Sequence, residues 1–225
     1  MSAVPGTVRP GGRTARVRAA VLRATGDVLA ERGFAHLDLA DVARRAGVGK
    51  TTVYRRWGSP AALVTDLLAD LAGQSPPRAG TGTALGDLRA HADLVGRTLA
   101  DPRQGARSRA VVAAAGCDDR TARALRRLHE VRTGEWVPCV ARAVRRGELP
   151  AGTDAAAVVR AVSAPLYHAL LTTAEAPDAV AADRAARAAL AAARAGVFVT
   201  PAPRGPRVRG APAPPPASGP PAPPP

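Results

Sequence analysis

Between Val42 and Trp57 two short helical patterns meet at a single Gly47, and no other stretch restricts the fold as much. Asp38 is placed to N-cap a short helix with Val42 and Ala46 inward, and Gly47-Val48-Gly49 leaves room only for a tight turn. From Lys50 to about Trp57 the helical pattern resumes. Two helices joined this way cross steeply: Ala43 is small enough for close approach, and Val48 and Val53 plug the corner. What remains outside is polar and basic. Lys50, Thr51 and Thr52 open the second helix, at the end that enters a major groove and meets base edges, while Tyr54, Arg55 and Arg56 sit farther along, within reach of phosphates.

The pattern around this unit is helical. Val17, Val21, Ala24 and Val28 share one face of a first helix over about 14–32, which Gly33 can end. Ser59-Pro60, a cap followed by proline at N1, opens a fourth helix with Leu63, Leu67 and Leu71 on one stripe. Downstream, helices are predicted near 84–99, 104–116, 119–146, 154–173 and 178–196, with Asp154 and Asp178 as caps and with kinks at Pro138 and Pro165. The apolar content is Ala, Val and Leu with only 3% aromatics, which favours close-packed helices over strands. The expected fold is all-α: an N-terminal helix-turn-helix domain over 13–72, a linker over 73–83, and a helical regulatory and dimerisation domain over 84–196. Residues 1–12 form a basic arm, and 197–225 a Pro-rich tail without helix.

Charge follows the same division. The formal net charge is +14, and residues 1–60 hold eleven Lys/Arg against four Asp/Glu, whereas 61–200 hold eighteen against fourteen. The excess sits beside the helix-turn-helix, where basic side chains can neutralise phosphates. Arg9, Arg13, Arg16 and Arg18 extend it into the arm and first helix. Lys50 is the only lysine, so part of the arginine excess reflects a compositional bias.

Ala46-Gly47-Val48, then Thr52, Val53 and Tyr54, then Trp57 and a Ser-capped helix, resemble the DNA-binding domain of the tetracycline-repressor-like (TetR) family over about residues 13–72. The resemblance implies base reading by Lys50 and Thr51, phosphate contacts from Thr52, Tyr54 and Arg56, and packing of Trp57 behind the recognition helix. Arg44 and Arg45 on the preceding helix, with Arg55, are further phosphate candidates. The sequence departs from the family in having Pro60 where many relatives carry a backbone-directed lysine, and Gly49 where a capping serine is frequent. Arg145 to Leu149, Asp154, and Ala164 to Leu171 are similar to C-terminal ligand-binding domains in one branch of the family, in which the last two long helices pair with a second subunit.

The expected function is that of a sequence-specific transcriptional regulator: a ligand-released repressor that binds a palindromic double-stranded operator as a homodimer. The alternative is a nucleoid-type protein that coats DNA without sequence preference. Trp136, His129, Cys139, Tyr167 and His168 are the polar or aromatic exceptions in the aliphatic C-terminal domain, and they are the candidate contacts for a small-molecule effector. The Ala-rich face of 181–193 is predicted to lack cover within the chain and to form the dimer contact. No phosphate loop, nucleophile elbow or metal-ligand spacing is present, so neither an enzyme, a cofactor nor a metal is expected. Cys117 and Cys139 are read as reduced thiols, and no apolar run of about 18 residues suggests a span, so a cytoplasmic protein without membrane contact is expected.

Overall fold

Seven of the helices begin at a side chain that the sequence supplies for the purpose. Asp38, Ser59, Thr83, Asp101, Asp118, Asp154 and Asp178 each accept a hydrogen bond from a backbone N–H two or three residues onward, at 2.7–3.2 Å. Each such cap contributes about 1 kcal/mol. The computed structural model describes residues 12–74, 80–173 and 175–200.

Within these residues the helices are α1 (Gly12–Arg32), α2 (Leu39–Ala46), α3 (Lys50–Arg56), α4 (Pro60–Ala72) and α5 (Ala84–Ala100). They are followed by α6 (Pro102–Cys117), α7 (Asp119–Arg145), α8 (Ala155–Thr172) and α9 (Ala179–Arg194). A 3₁₀ turn, Phe34–His36, joins α1 to α2. The sixth helix starts two residues earlier than the periodicity indicates, because Asp101-Pro102 repeats the cap-then-proline pair of Ser59-Pro60. The helices α7 and α8 each continue through their prolines, Pro138 and Pro165.

Two cores result. Val21, Val28 and Leu29 of α1 pack with Val42 and Ala43 of α2, Val53 of α3, and Leu63, Val64 and Leu68 of α4. Ala110 and Val111 of α6 complete this core, with Leu125 and Leu128 of α7 against it, so α6 and α7 floor the four N-terminal helices. The second core joins α5, the C-terminal half of α7, α8 and α9 around Leu99, Val162, Leu166 and Leu170.

Two parts of the chain depart from what the sequence leads one to expect. The Ala-rich face of α9 is covered within the chain: Ala182, Ala185, Ala186, Ala189 and Ala193 are buried against α5 and α8, with Ala182 beside Gly96. Small side chains let α9 approach α5 closely, and that approach absorbs the face expected to dimerise. Residues 197–200, expected to begin the tail, instead fold back on the start of α8. The Asp154 N–H donates to the Phe198 carbonyl at 2.8 Å, the Thr200 N–H donates to the Gly152 carbonyl at 3.2 Å, and Phe198 packs on the second core. The rest of the tail, 201–225, and the arm, 1–11, lie outside the described residues, as do 75–79 of the linker.

The helix α8 is itself apolar: 18 residues with mean hydropathy 1.3 are long and apolar enough to span a membrane by length and composition alone, contrary to the expectation that no such run exists. One side, carrying Val158, Val159, Val162, Leu166 and Leu170, belongs to the second core, and the other, with Ala164, His168 and Leu171, is exposed.

Candidate functional site

The turn between α2 and α3 depends on Gly47, whose backbone lies in the left-handed region (φ 65°, ψ 33°), favourable only to glycine and a few short polar residues. Its N–H and that of Val48 close onto the Arg44 and Ala43 carbonyls at 3.2 and 3.0 Å, which ends α2 and turns the chain into α3. Gly49 supplies no side-chain cap, as its identity requires. Val53 is fully buried, so Lys50, Thr51, Tyr54, Arg55 and Arg56 all face outward, and Thr52 is half-buried. Tyr54 is 49% exposed, unusual for so large an apolar surface and suited to a partner.

The arginines of α2 are less available than their positions suggest. Asp41 draws Arg32, Arg44 and Arg45 together, and Arg45 also pairs with Glu31 at 2.6 Å. Partial burial pushes the Asp41 carboxyl up, but hydrogen bonding from Arg44 and the charges of the three arginines outweigh it and hold the group below the usual carboxylate range. The hydrogen bond to Glu31 raises Arg45 above its ordinary value. Arg44 keeps a largely exposed side chain, whereas Arg45 is mostly covered and acts as a strut between α1 and α2. Arg18, expected to serve the basic arm, is likewise engaged: it grips Asp66 through Nε and Nη2 and Asp70 through Nη1, tying α1 to α4. Arg13 and Arg16 remain exposed.

Trp57 fixes the far end of α3. Its ring is buried, its Nε1 donates to Asp66 at 3.0 Å, and the Arg56 guanidinium lies 5.0 Å from the ring centroid. Helix α4 therefore carries α3 at one end. At the other, Leu68, Leu71 and the following Gln74 line a cavity of about 440 Å³ bounded also by α5, α6, α7 and α8.

Three of the five candidate effector contacts, His129, Trp136 and Tyr167, meet on the wall of this cavity. His129 and Tyr167 stack edge to face at 5.1 Å. Cys139 does not reach it. One turn beyond Trp136, it is buried against Ala84, Asp87 and Leu88 of α5, and its sulfur accepts from Arg142. His168 also lies off the cavity, exposed on the outer side of α8, because neighbours on a helix stand about 100° apart and Tyr167 takes the inward direction. Sequence reasoning missed His91, Arg107 and Arg132. The signal was available: each stands on an apolar stripe, His91 between Leu88 and Val95, Arg107 before Val111 and Ala114, and Arg132 between Leu128 and Trp136.

Residues 21–67 match the family described as bacterial regulatory proteins, tetR family, and residues 78–189 match the tetracyclin repressor-like C-terminal domain. The transcriptional regulator AqdR of Rhodococcus erythropolis is 32% identical over 150 residues, 65% of this chain and 70% of that protein. The uncharacterised regulator YdeS of Bacillus subtilis is 28% identical over 155 residues, 68% of this chain and 78% of its own length. Among solved structures, the TetR-family transcription regulator SCO0332 superimposes with a TM-score of 0.60 at 28% identity, over 78% of this chain and 97% of that one. MexZ, a repressor responsible for antibiotic resistance in Pseudomonas aeruginosa, shares the fold with a TM-score of 0.58 at 24% identity, over 83% and 99% of the two chains. With both halves matched in order, the chain belongs to the tetR family and is a DNA-binding transcriptional regulator.

Proposed function

We propose that the protein is a repressor that binds a palindromic operator as a homodimer in the cytoplasm and leaves it when a small molecule fills the cavity. Lys50 and Thr51 read base edges; Thr52, Tyr54, Arg55, Arg56 and Arg44 contact phosphates, and Arg45 contributes by bracing α2. The observation that carries this reading is the position of α4, which lines the cavity with Leu68 and Leu71 and holds α3 through Asp66 and Trp57. An occupant that shifts α4 moves α3, so the ligand and DNA each weaken the other's binding by the same factor.

The exposed sides of α8 and α9 support a two-fold interface. Ala164, His168 and Leu171 on α8 and Val180, Ala188 and Ala191 on α9 are exposed, Leu171 at 47% and Val180 at 63%, and Arg160, Arg184 and Arg187 stand on the same outward faces. Two such pairs of helices, one from each copy, can pack face to face about a two-fold axis. The two recognition helices would then lie about one turn of DNA apart, roughly 34–36 Å.

The test is selection of bound fragments from the source genome, followed by titration of the recovered site and of random DNA at one fixed salt concentration. A palindromic site bound about 1,000-fold or more tightly than random DNA supports the reading. Equal affinity for the two would favour the DNA-coating alternative, to which the +14 charge lends its weight.

A further inference from the structure

Charge is distributed unevenly around the cavity. Arg107 of α6 and Arg132 of α7 both line it, and none of the described lining residues is Asp or Glu. Arg132 is already engaged, donating to the Leu71 carbonyl at 2.7 Å and pairing with Glu135 at 3.5 Å. Arg107 is not: among the described residues it forms no ion pair, and it lies half-buried with its guanidinium beside Gly26 of α1. Burial pushes it below its ordinary value, an effect that the more distant Asp101 and Asp27 only partly offset. A half-buried guanidinium without a carboxylate is a group whose partner is to come from elsewhere.

The remaining wall is neutral and mostly apolar. Leu94, Val111, Leu125 and Trp136 supply the surface, and His91 stands among them only 5% exposed, with neither ring nitrogen hydrogen-bonded. Its ring lies 4.8 Å from that of Trp136. Burial drives the imidazole down to about 4 against the opposing effect of the Val159 backbone, so at neutral pH it is uncharged, and both ring nitrogens are closed off from the cavity. Aromatic walls suit cations in other settings, but here two guanidiniums would repel one.

We propose that the effector is an amphipathic organic anion whose acidic group pairs with Arg107 and whose apolar body lies against Leu94, Val111 and Trp136. This rests on the reading of the cavity as the sensing site. The arrangement is that of a pocket in which area gives affinity and one charged contact gives class selectivity.

The experiment uses the full chain at about 0.15 M salt, where attraction to the basic surface is screened. The neutral fluorophore N-phenyl-1-naphthylamine reports on the cavity, and it is displaced by three ten-carbon competitors: decanoate, decan-1-ol and decyltrimethylammonium. Decanoate is expected to compete about 10-fold more strongly than decan-1-ol, and the ammonium least. Arg107→Gln should remove the preference for decanoate while leaving the decan-1-ol affinity within about twofold, and Arg107→Lys should keep most of the preference. Thermal melting of both variants verifies folding, and if Arg107→Gln fails to fold, the ratio in Arg107→Lys is the deciding measurement, with its loss counting against the proposal. Equal competition by decanoate and decan-1-ol, or a preference that survives in Arg107→Gln, would overturn the assignment of an anion to Arg107 with the sensing cavity left intact. If the fluorophore itself does not bind, or still binds after Leu94→Trp fills the space, the cavity reading falls and this inference falls with it.

Discussion

The indole of Trp57 donates to the Asp66 carboxylate that Arg18 also grips, so one acid joins the end of the recognition helix to α1 and α4. Burial would push Asp66 up, but the hydrogen bonds from Arg18 and Trp57, with the charges of Arg18 and Arg56, hold it below its ordinary 3.8. A lowered carboxyl stabilises the fold fully above that ordinary value and loses the contribution as pH falls through the folded one. Asp66→Asn should therefore lower stability at pH 7 by about 1–3 kcal/mol in urea unfolding. It should also flatten the acid limb below pH 3.8, and an unchanged limb would remove Asp66 from the network.

The surface arginines divide by what they already hold. Lys50→Ala should weaken operator binding by about 1–3 kcal/mol with little effect on random DNA. Arg56→Ala should weaken both about equally and lower the salt slope by roughly one unit. Arg45→Ala, by contrast, removes a strut to Glu31 and Asp41, so its mark should appear in thermal melting and not in the salt slope. Titrations of the three variants at several salt concentrations separate these outcomes.

His91 gives the folded protein a second pH dependence, opposite in chemistry to that of Asp66 but acting in the same direction. It titrates at about 4 when folded and near 6.5 when unfolded, so the unfolded chain binds the extra proton between these values. Stability attributable to the neutral ring is complete above pH 6.5 and falls by the order of 3 kcal/mol as pH drops to 4. His91→Phe should remove that slope, and denaturant unfolding at pH 7, 5.5 and 4 measures it.

Two alanines on neighbouring helices separate folding from assembly. Ala189 is 3% exposed against α5, so Ala189→Arg should destabilise the single chain by several kcal/mol. Ala164 lies on the open side of α8, so Ala164→Arg should leave the melting of the single chain nearly unchanged and shift the proposed dimer toward monomer. Sedimentation across a concentration series distinguishes them, and an intact dimer in Ala164→Arg would move the interface elsewhere.

Helix positions were readable because caps and apolar stripes are local: Asp38, Ser59, Asp154 and Asp178 lie where a helix must start, and each does cap one. The outward set on α3 followed from Val53 alone, since burying one residue of a short helix orients the rest. Partnerships across the chain were not readable. Nothing near Arg18 in sequence announces Asp66, 48 residues away, nor does α9 reveal that α5 covers its alanines. The cavity was half-legible: His129 and Trp136 stand out as exceptions in their own helix, whereas Arg107, although it stands on the apolar stripe of Val111 and Ala114, is one arginine among many in this chain.

The carboxylates that collect arginines at the DNA-binding end change what an approaching duplex encounters. Salt dependence counts only those cations that displace a mobile counterion from the phosphates, and Arg18 and Arg45 are already neutralised inside the protein. Arg13, Arg16, Arg23, Lys50, Arg55 and Arg56 form no ion pair among the described residues, so the proposed dimer brings at most two such sets to the duplex. The logarithm of affinity should then fall with that of salt at a slope no steeper than about −11, well short of the slope of about −20 implied by all eleven basic residues of each N-terminal region. Operator occupancy would in consequence tolerate swings in cellular ionic strength that would strip a protein whose cations were all exposed, and the chain's high isoelectric point would say little about how it behaves on the chromosome.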